Sequence, residues 1–217
     1  MRTLLLVFSL LLIACTPDPN VGRIDYEMGM QLMKGIGVEK NEAEGIRHLI
    51  LASDAGNGGA MVTLGYFYLK GTNVPKDEAR GFQLFLQAAK IGNRDGQYNT
   101  GLSYVRGIGT EVDLKEAFQW FKKAALQDDV GSQYNLGVMY MNGEGVTKDL
   151  LLAYAWFSEA DSKKYEGAKD AMDIVRRSLD DTQLSALDRT MTKVSRSIVR
   201  PPAADLSVGT GAGDQPL

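Results

Sequence analysis

Small and apolar residues along this chain recur at helical spacing, in paired stretches separated by glycine. Over 131–142, Ser132, Leu136, Gly137 and Tyr140 fall on one face of a helix. Gly143-Glu144-Gly145 then interrupts the pattern, because glycine accepts the positive-φ backbone that ends helices. Asp149 stands at an N-cap position, and Ala153, Trp156, Phe157 and Ala160 form the stripe of a second helix over 149–161. Two helices with one sticky side each make a hairpin that cannot bury its own faces.

The hairpin occurs three more times upstream, at intervals of 36 residues and with no insertion or deletion. The mid-helix glycines are Gly29, Gly65, Gly101 and Gly137, and the helix-ending glycines are Gly35, Gly71, Gly107 and Gly143. The caps are Asn41, Asp77, Asp113 and Asp149, and Leu49, Phe85, Phe121 and Phe157 share one core position. The period predicts first helices over 23–34, 59–70, 95–106 and 131–142, and second helices over 42–55, 77–91, 113–127 and 149–161. Asn41 with Glu44, and Asp113 with Glu116, fit capping boxes. A glycine inside a helix costs roughly 1 kcal/mol against alanine. Its recurrence predicts close approach of the partner helix, which carries Gly45, Gly81, Ala117 and Ala153 opposite. Self-similarity at such a period is the signature of a solenoid, in which each hairpin buries its faces against its neighbours.

The motif LG-x-x-Y-x-x-G-x-GV-x-x-D-x-x-x-A-x-x-W-x-x-x-A, complete in the last copy, resembles the Sel1-like repeat, a relative of the tetratricopeptide repeat. The third copy departs mainly at Thr100 and Thr110, and the first two carry His48 and Leu84 at the tryptophan position. The resemblance implies an all-α, right-handed α-solenoid of four 36-residue hairpins, at 21–56, 57–92, 93–128 and 129–164. Beyond them, Asp180 and Gln183 open a helix with Leu184, Leu187, Met191, Val194 and Ile198 at steps of three and four. Residues 165–199 are therefore expected to be capping helices over the last repeat. Pro201-Pro202 stops them, and the tail at 200–217 is expected to be disordered.

The start of the chain follows other rules. Arg2 precedes an apolar run from Leu4 to Ala14, too short to span a bilayer comfortably but suited to a secretory signal over 1–14. It ends in Leu12-Ile13-Ala14-Cys15, similar to the lipobox of bacterial lipoproteins, which implies diacylglycerol on Cys15. Residues 15–20 then read as a short extended tether, and Thr16 after the cysteine implies the outer membrane, facing the periplasm.

Composition narrows the function. In 217 residues the net charge is −3, not basic enough for a nucleic-acid partner. One histidine and one cysteine cannot build a His/Cys metal site. His48 sits beside Leu49 on the packed face, a half-buried structural position with no convergent partners for catalysis. The Gly107-Ile108-Gly109 turns follow helices and not strands, which argues against nucleotide binding. Some similar repeat proteins have been linked to β-lactam binding, but those are cysteine-rich with a disulfide per hairpin; this chain lacks those cysteines and has no Ser-x-x-Lys. Neither enzyme activity nor a cofactor is expected.

What remains is surface. The first helices carry three columns down the stack: Glu27, Thr63, Asn99 and Asn135; Met30, Tyr66, Leu102 and Val138; and Lys34, Lys70, Arg106 and Asn142. The middle column is apolar where helical phase predicts exposure, which suggests a groove with an apolar floor and a basic edge. The expected partner is another envelope protein or an extended segment of one. Scaffolding of an envelope assembly is the first reading, and regulation of a sensor or an envelope-stress or exopolysaccharide pathway is the alternative. An enzyme acting on the cell wall would need a polar catalytic cluster that the sequence does not display.

Overall fold

A computed structural model describes residues 19–198; the apolar start, Cys15, all but the last two residues of the 15–20 tether and the tail at 200–217 lie outside that range. Ten helices follow one another: α1 (Pro19–Lys34), α2 (Glu42–Asp54), α3 (Gly58–Lys70), α4 (Glu78–Lys90), α5 (Arg94–Arg106), α6 (Leu114–Leu126), α7 (Val130–Asn142), α8 (Leu150–Ser162), α9 (Ala168–Arg177) and α10 (Asp181–Ser197). No strand occurs among the described residues. The first eight form four antiparallel hairpins, and each packs against the next through the second helix of one and the first helix of its successor.

Local chemistry sets the ends. Asn41, Asp77, Asp113 and Asp149 cap the second helices, each accepting a backbone N–H from the following turn. A cap of this kind contributes about 1 kcal/mol. The boxes expected at Asn41 and Asp113 are only half made. Glu44 turns away to pair with Arg47 at 2.9 Å, and the reciprocal arrangement forms instead at Asp180 and Gln183. Asn57, Asn93 and Asp129 cap α3, α5 and α7 in the same way. Gly71, Gly107 and Gly143 end those helices with φ between 68° and 77°, a conformation that most residues resist.

The partner helix does approach the mid-helix glycines closely, but in three of the four repeats a phenylalanine ring, not the small residue that spacing sets opposite, fills the space. A methyl on Gly65, Gly101 or Gly137 would stand 2.5, 2.7 or 2.5 Å from the ring of Phe85, Phe121 or Phe157. All three rings are fully buried, so they fill the space that the missing side chains leave. In the first two hairpins the backbones also approach directly, since a methyl on Gly45 or Gly81 would meet the carbonyl of Gly29 or Gly65 at 3.0 or 2.9 Å. Ala117 and Ala153 stand at the equivalent positions of the last two hairpins and are fully buried.

Between hairpins the contacts repeat as well. Tyr104 and Tyr140 present their edges to Phe82 and Phe118 of the preceding second helices, at 5.3 and 5.4 Å. Gln97 and Gln133 donate to the carbonyls of Ala89 and Ala125, which would otherwise be hard to satisfy in the buried seam. At the far end both α9 and α10 pack on α8. Ala171, Val175, Leu179 and Leu187 join Tyr154 and Phe157 in one apolar cluster. Val194 and Ile198 join Trp156 and Phe118 in another. The last repeat is covered.

Candidate functional site

The first helices lie on the tighter side of the stack, since α3 and α5 also touch each other directly. A tyrosine ladder lines this inner side. A methyl on Gly59 would stand 3.4 Å from the Tyr26 ring, one on Gly131 would stand 2.9 Å from Tyr98, and one on Gly167 would stand 3.6 Å from the Tyr134 hydroxyl. Each tyrosine thus lies over a glycine 33 residues further on. The second repeat breaks the ladder, with Val62 and Asp95 at the equivalent places. There Tyr66 makes the crossing instead: its hydroxyl donates to Asn99 Oδ1 at 2.7 Å, and Asn99 Nδ2 donates to the Asp95 carbonyl at 2.8 Å.

Burial sets the electrostatics of this wall. It pushes the Tyr66 hydroxyl above its ordinary pKa despite the Asn99 bond, and Asp95 and Asp129 push the same way. Tyr98 is pushed up to about 12, first by burial and then by Tyr165 and Asp129. Burial also raises Asp129, against the pull of its bonds to Ser132. At neutral pH Tyr66 and Tyr98 are therefore uncharged.

The predicted columns divide. Met30, Tyr66, Leu102 and Val138 are not exposed: all four are half-buried. Met30 packs with Leu49 and Leu64, Tyr66 sets its edge against Phe85 at 5.2 Å, and Leu102 and Val138 join the clusters of the last two hairpins. Helical phase alone places them outward. Tyr66 packs on Phe85 of its own hairpin and bonds Asn99 of the next repeat, contacts that the phase of one helix does not reveal. Asn99 is 5% exposed and structural, while Asn135 is half-buried. Lys34, Lys70 and Arg106 are all exposed and, among the described residues, make no ion pair. They sit in the last turns of α1, α3 and α5, where a cation also complements the helix dipole. The inner side thus offers half-buried aromatic and aliphatic surface beside a column of free cations.

His48 lies half-buried as its position predicts, with Nδ1 2.8 Å from Asp25 Oδ1. Sequence reasoning did not find Asp25. The signal was its register: Asp25 is equivalent to Gln97 and Gln133, which reach the preceding repeat, and the first repeat has no preceding carbonyl to reach. The tyrosine ladder was also missed, although the 33-residue spacing of tyrosine and glycine was readable. Among the described residues no group of three or more His, Cys, Asp or Glu side chains could hold a metal ion. No described helix is long and apolar enough to cross a membrane.

The Sel1 repeat family matches the chain four times, at 25–57, 59–93, 94–129 and 130–160. A crystal structure of a Sel1 repeat protein from Oxalobacter formigenes is similar, with a TM-score of 0.67 and 28% identity over 71% of this chain and 44% of that one. A protective antigen of uropathogenic Escherichia coli strains, displaying the SLR fold, aligns with a TM-score of 0.55 and 20% identity over 88% of this chain and 50% of that one. This chain thus spans half or less of the length of these two solved structures. No curated protein matches it.

Proposed function

The chain belongs to the Sel1 repeat family, and from that premise we propose that its inner face binds an extended segment of another protein. Sel1 repeats mediate protein–protein interaction, and the stack here is long enough to present one face repeatedly. The observation that carries the reading is the recurrence of an exposed, unpaired cation at one position in three successive repeats: Lys34, Lys70 and Arg106. Long-range attraction along that edge would steer an acidic or polar segment onto Tyr66, Leu102 and Val138.

The module is tethered through Cys15 to a bacterial membrane, on the strength of the apolar run and the Leu12-Ile13-Ala14-Cys15 sequence. The outer membrane, facing the periplasm, is the location the reading takes, with an envelope assembly as the setting. A photoreactive residue at Arg106 in intact cells, followed by mass spectrometry, tests the binding face. A discrete adduct with one envelope protein is expected from Arg106 and not from Gln119 on the second helix. Equal adducts from both positions would remove the inner face as the binding site.

A further inference from the structure

The two ends of the stack are finished differently. At the C-terminal end α9 and α10 cover α8. At the N-terminal end, among the described residues, nothing covers α1. Ile24 is 57% exposed, Met28 36% and Ile36 60%. Their counterparts in the later repeats are covered. Ala60, Gly96 and Ser132 stand at the register of Ile24, and Leu64, Thr100 and Leu136 at that of Met28; all six are buried against the preceding second helix. Ile36 matches Ile108, in the loop that rests on the start of α4.

This face is not built for a preceding repeat. Ala60, Gly96 and Ser132 are all small at that register, and a methyl on Gly96 would already lie 2.6 Å from the Ala88 methyl, so Ile24 is bulkier than any residue the repeat's own seam holds there. Head-to-tail stacking of chains is closed from the other side too, because the only second helix at the C-terminal end is covered. The self-association that covers this face on both copies at once is isologous, the same patch on both partners.

We propose that the N-terminal face is a dimer interface, in which α1 packs antiparallel on α1 of a second copy about a two-fold axis. The charges suit that arrangement. Arg23 and Glu27 flank the Ile24–Met28 stripe at the same four-residue step, paired with each other at 2.9 Å and more than half exposed. An antiparallel axis near residues 25–26 sets Ile24 against Met28 of the second copy, and Arg23 against Glu27. Apolar centre and ionic rim are then both self-complementary.

Sedimentation equilibrium of the full chain in density-matched detergent tests this, with a photoreactive residue at Met28 in intact cells as a second readout. The proposal expects a dimer at micromolar concentration and a crosslinked species of twice the mass. Ile24→Glu with Met28→Glu should raise the dimer dissociation constant about a hundredfold or more, with helix content unchanged. Should that variant fail to fold, Arg23→Glu alone should weaken the dimer by setting like charges across the axis. Arg23→Glu with Glu27→Arg should then restore it. A wild-type chain that stays monomeric at all concentrations would overturn the proposal, and residues 1–18 would become the face's cover. A dimer untouched by these substitutions, or a Met28 adduct with lipid or another protein in place of the second copy, would overturn it equally.

Discussion

The ring of Phe121 occupies the space in which a side chain on Gly101 would stand; a methyl there would be 2.7 Å from two ring carbons. Alanine improves intrinsic helix propensity by roughly 1 kcal/mol. Overpacking typically costs 1–3 kcal/mol, and the ring is buried with nowhere to retreat, so packing wins. Gly101→Ala should lower the melting temperature by circular dichroism, and Gly101→Leu should lower it further. Combining Gly101→Ala with Phe121→Leu should cost less than the two single changes added together, since the residues share one space.

Tyr66 ties one repeat to the next through Asn99. Tyr66→Phe leaves the buried Asn99 oxygen without that donor, a loss of about 1–3 kcal/mol in thermal or chemical unfolding. The helical phase that puts Tyr66 and Leu102 outward predicts that changing both to serine would hardly move stability. The half-buried positions replace that expectation with a clear destabilisation, so the inner face is better probed at its cations.

Lys70→Glu with Arg106→Glu should cost about 1–2 kcal/mol in unfolding, since each change puts an anion where a cation complements a helix C-terminus, and should leave the fold intact. Association with the partner should slow, and the effect should fade as salt rises through the range where screening sets in. Charge reversal at Lys122, with Gln119→Glu, is the control, because both residues are exposed on the second-helix side. Binding kinetics at two ionic strengths decide it.

Burial raises the folded-state pKa of Asp129 above its ordinary 3.8, so the folded protein holds the protonated carboxyl better than the unfolded chain does. The sign follows: stability from this group is present below pH 3.8 and is lost as pH rises through the folded-state value. Asn57 and Asn93 cap the equivalent helices with neutral side chains. Asp129→Asn should therefore keep the cap and raise the melting temperature at pH 7, with the gain narrowing as pH falls toward 3.8.

Cys15→Ser should prevent lipidation and move the protein from the membrane fraction to a soluble or unprocessed form. Fractionation with metabolic labelling by a fatty-acid analogue measures both. A wild-type chain that is already soluble after cell disruption would refute the anchor.

The helix ends were legible because they depend on local chemistry. Caps at Asn41, Asp77, Asp113 and Asp149 and left-handed glycines at Gly71, Gly107 and Gly143 act within one turn of themselves, and predicted and observed helix ends agree to within one residue except at the start of α1. The inner face was less legible because its burial comes from a neighbouring repeat. Helical phase puts Asn99 outward; only the stack shows that Tyr66 reaches it from the previous repeat. The phenyl rings beneath the mid-helix glycines fall between these cases. The series Phe85, Phe121 and Phe157 was visible at the right period, but which atoms fill the gap depends on rotamers that spacing does not encode.

Each helix of this stack rests only on its neighbours, so the chain can open from one end while the other stays shut. In the monomer, fraying should begin at α1 and α2, on which no preceding repeat packs among the described residues. It should end at α8, held by α7, α9 and α10. Hydrogen exchange should accordingly slow from the first hairpin toward the last. A segment bound from Lys34 to Arg106 would splint three hairpins at once, and some of its binding free energy would go into holding the first one closed.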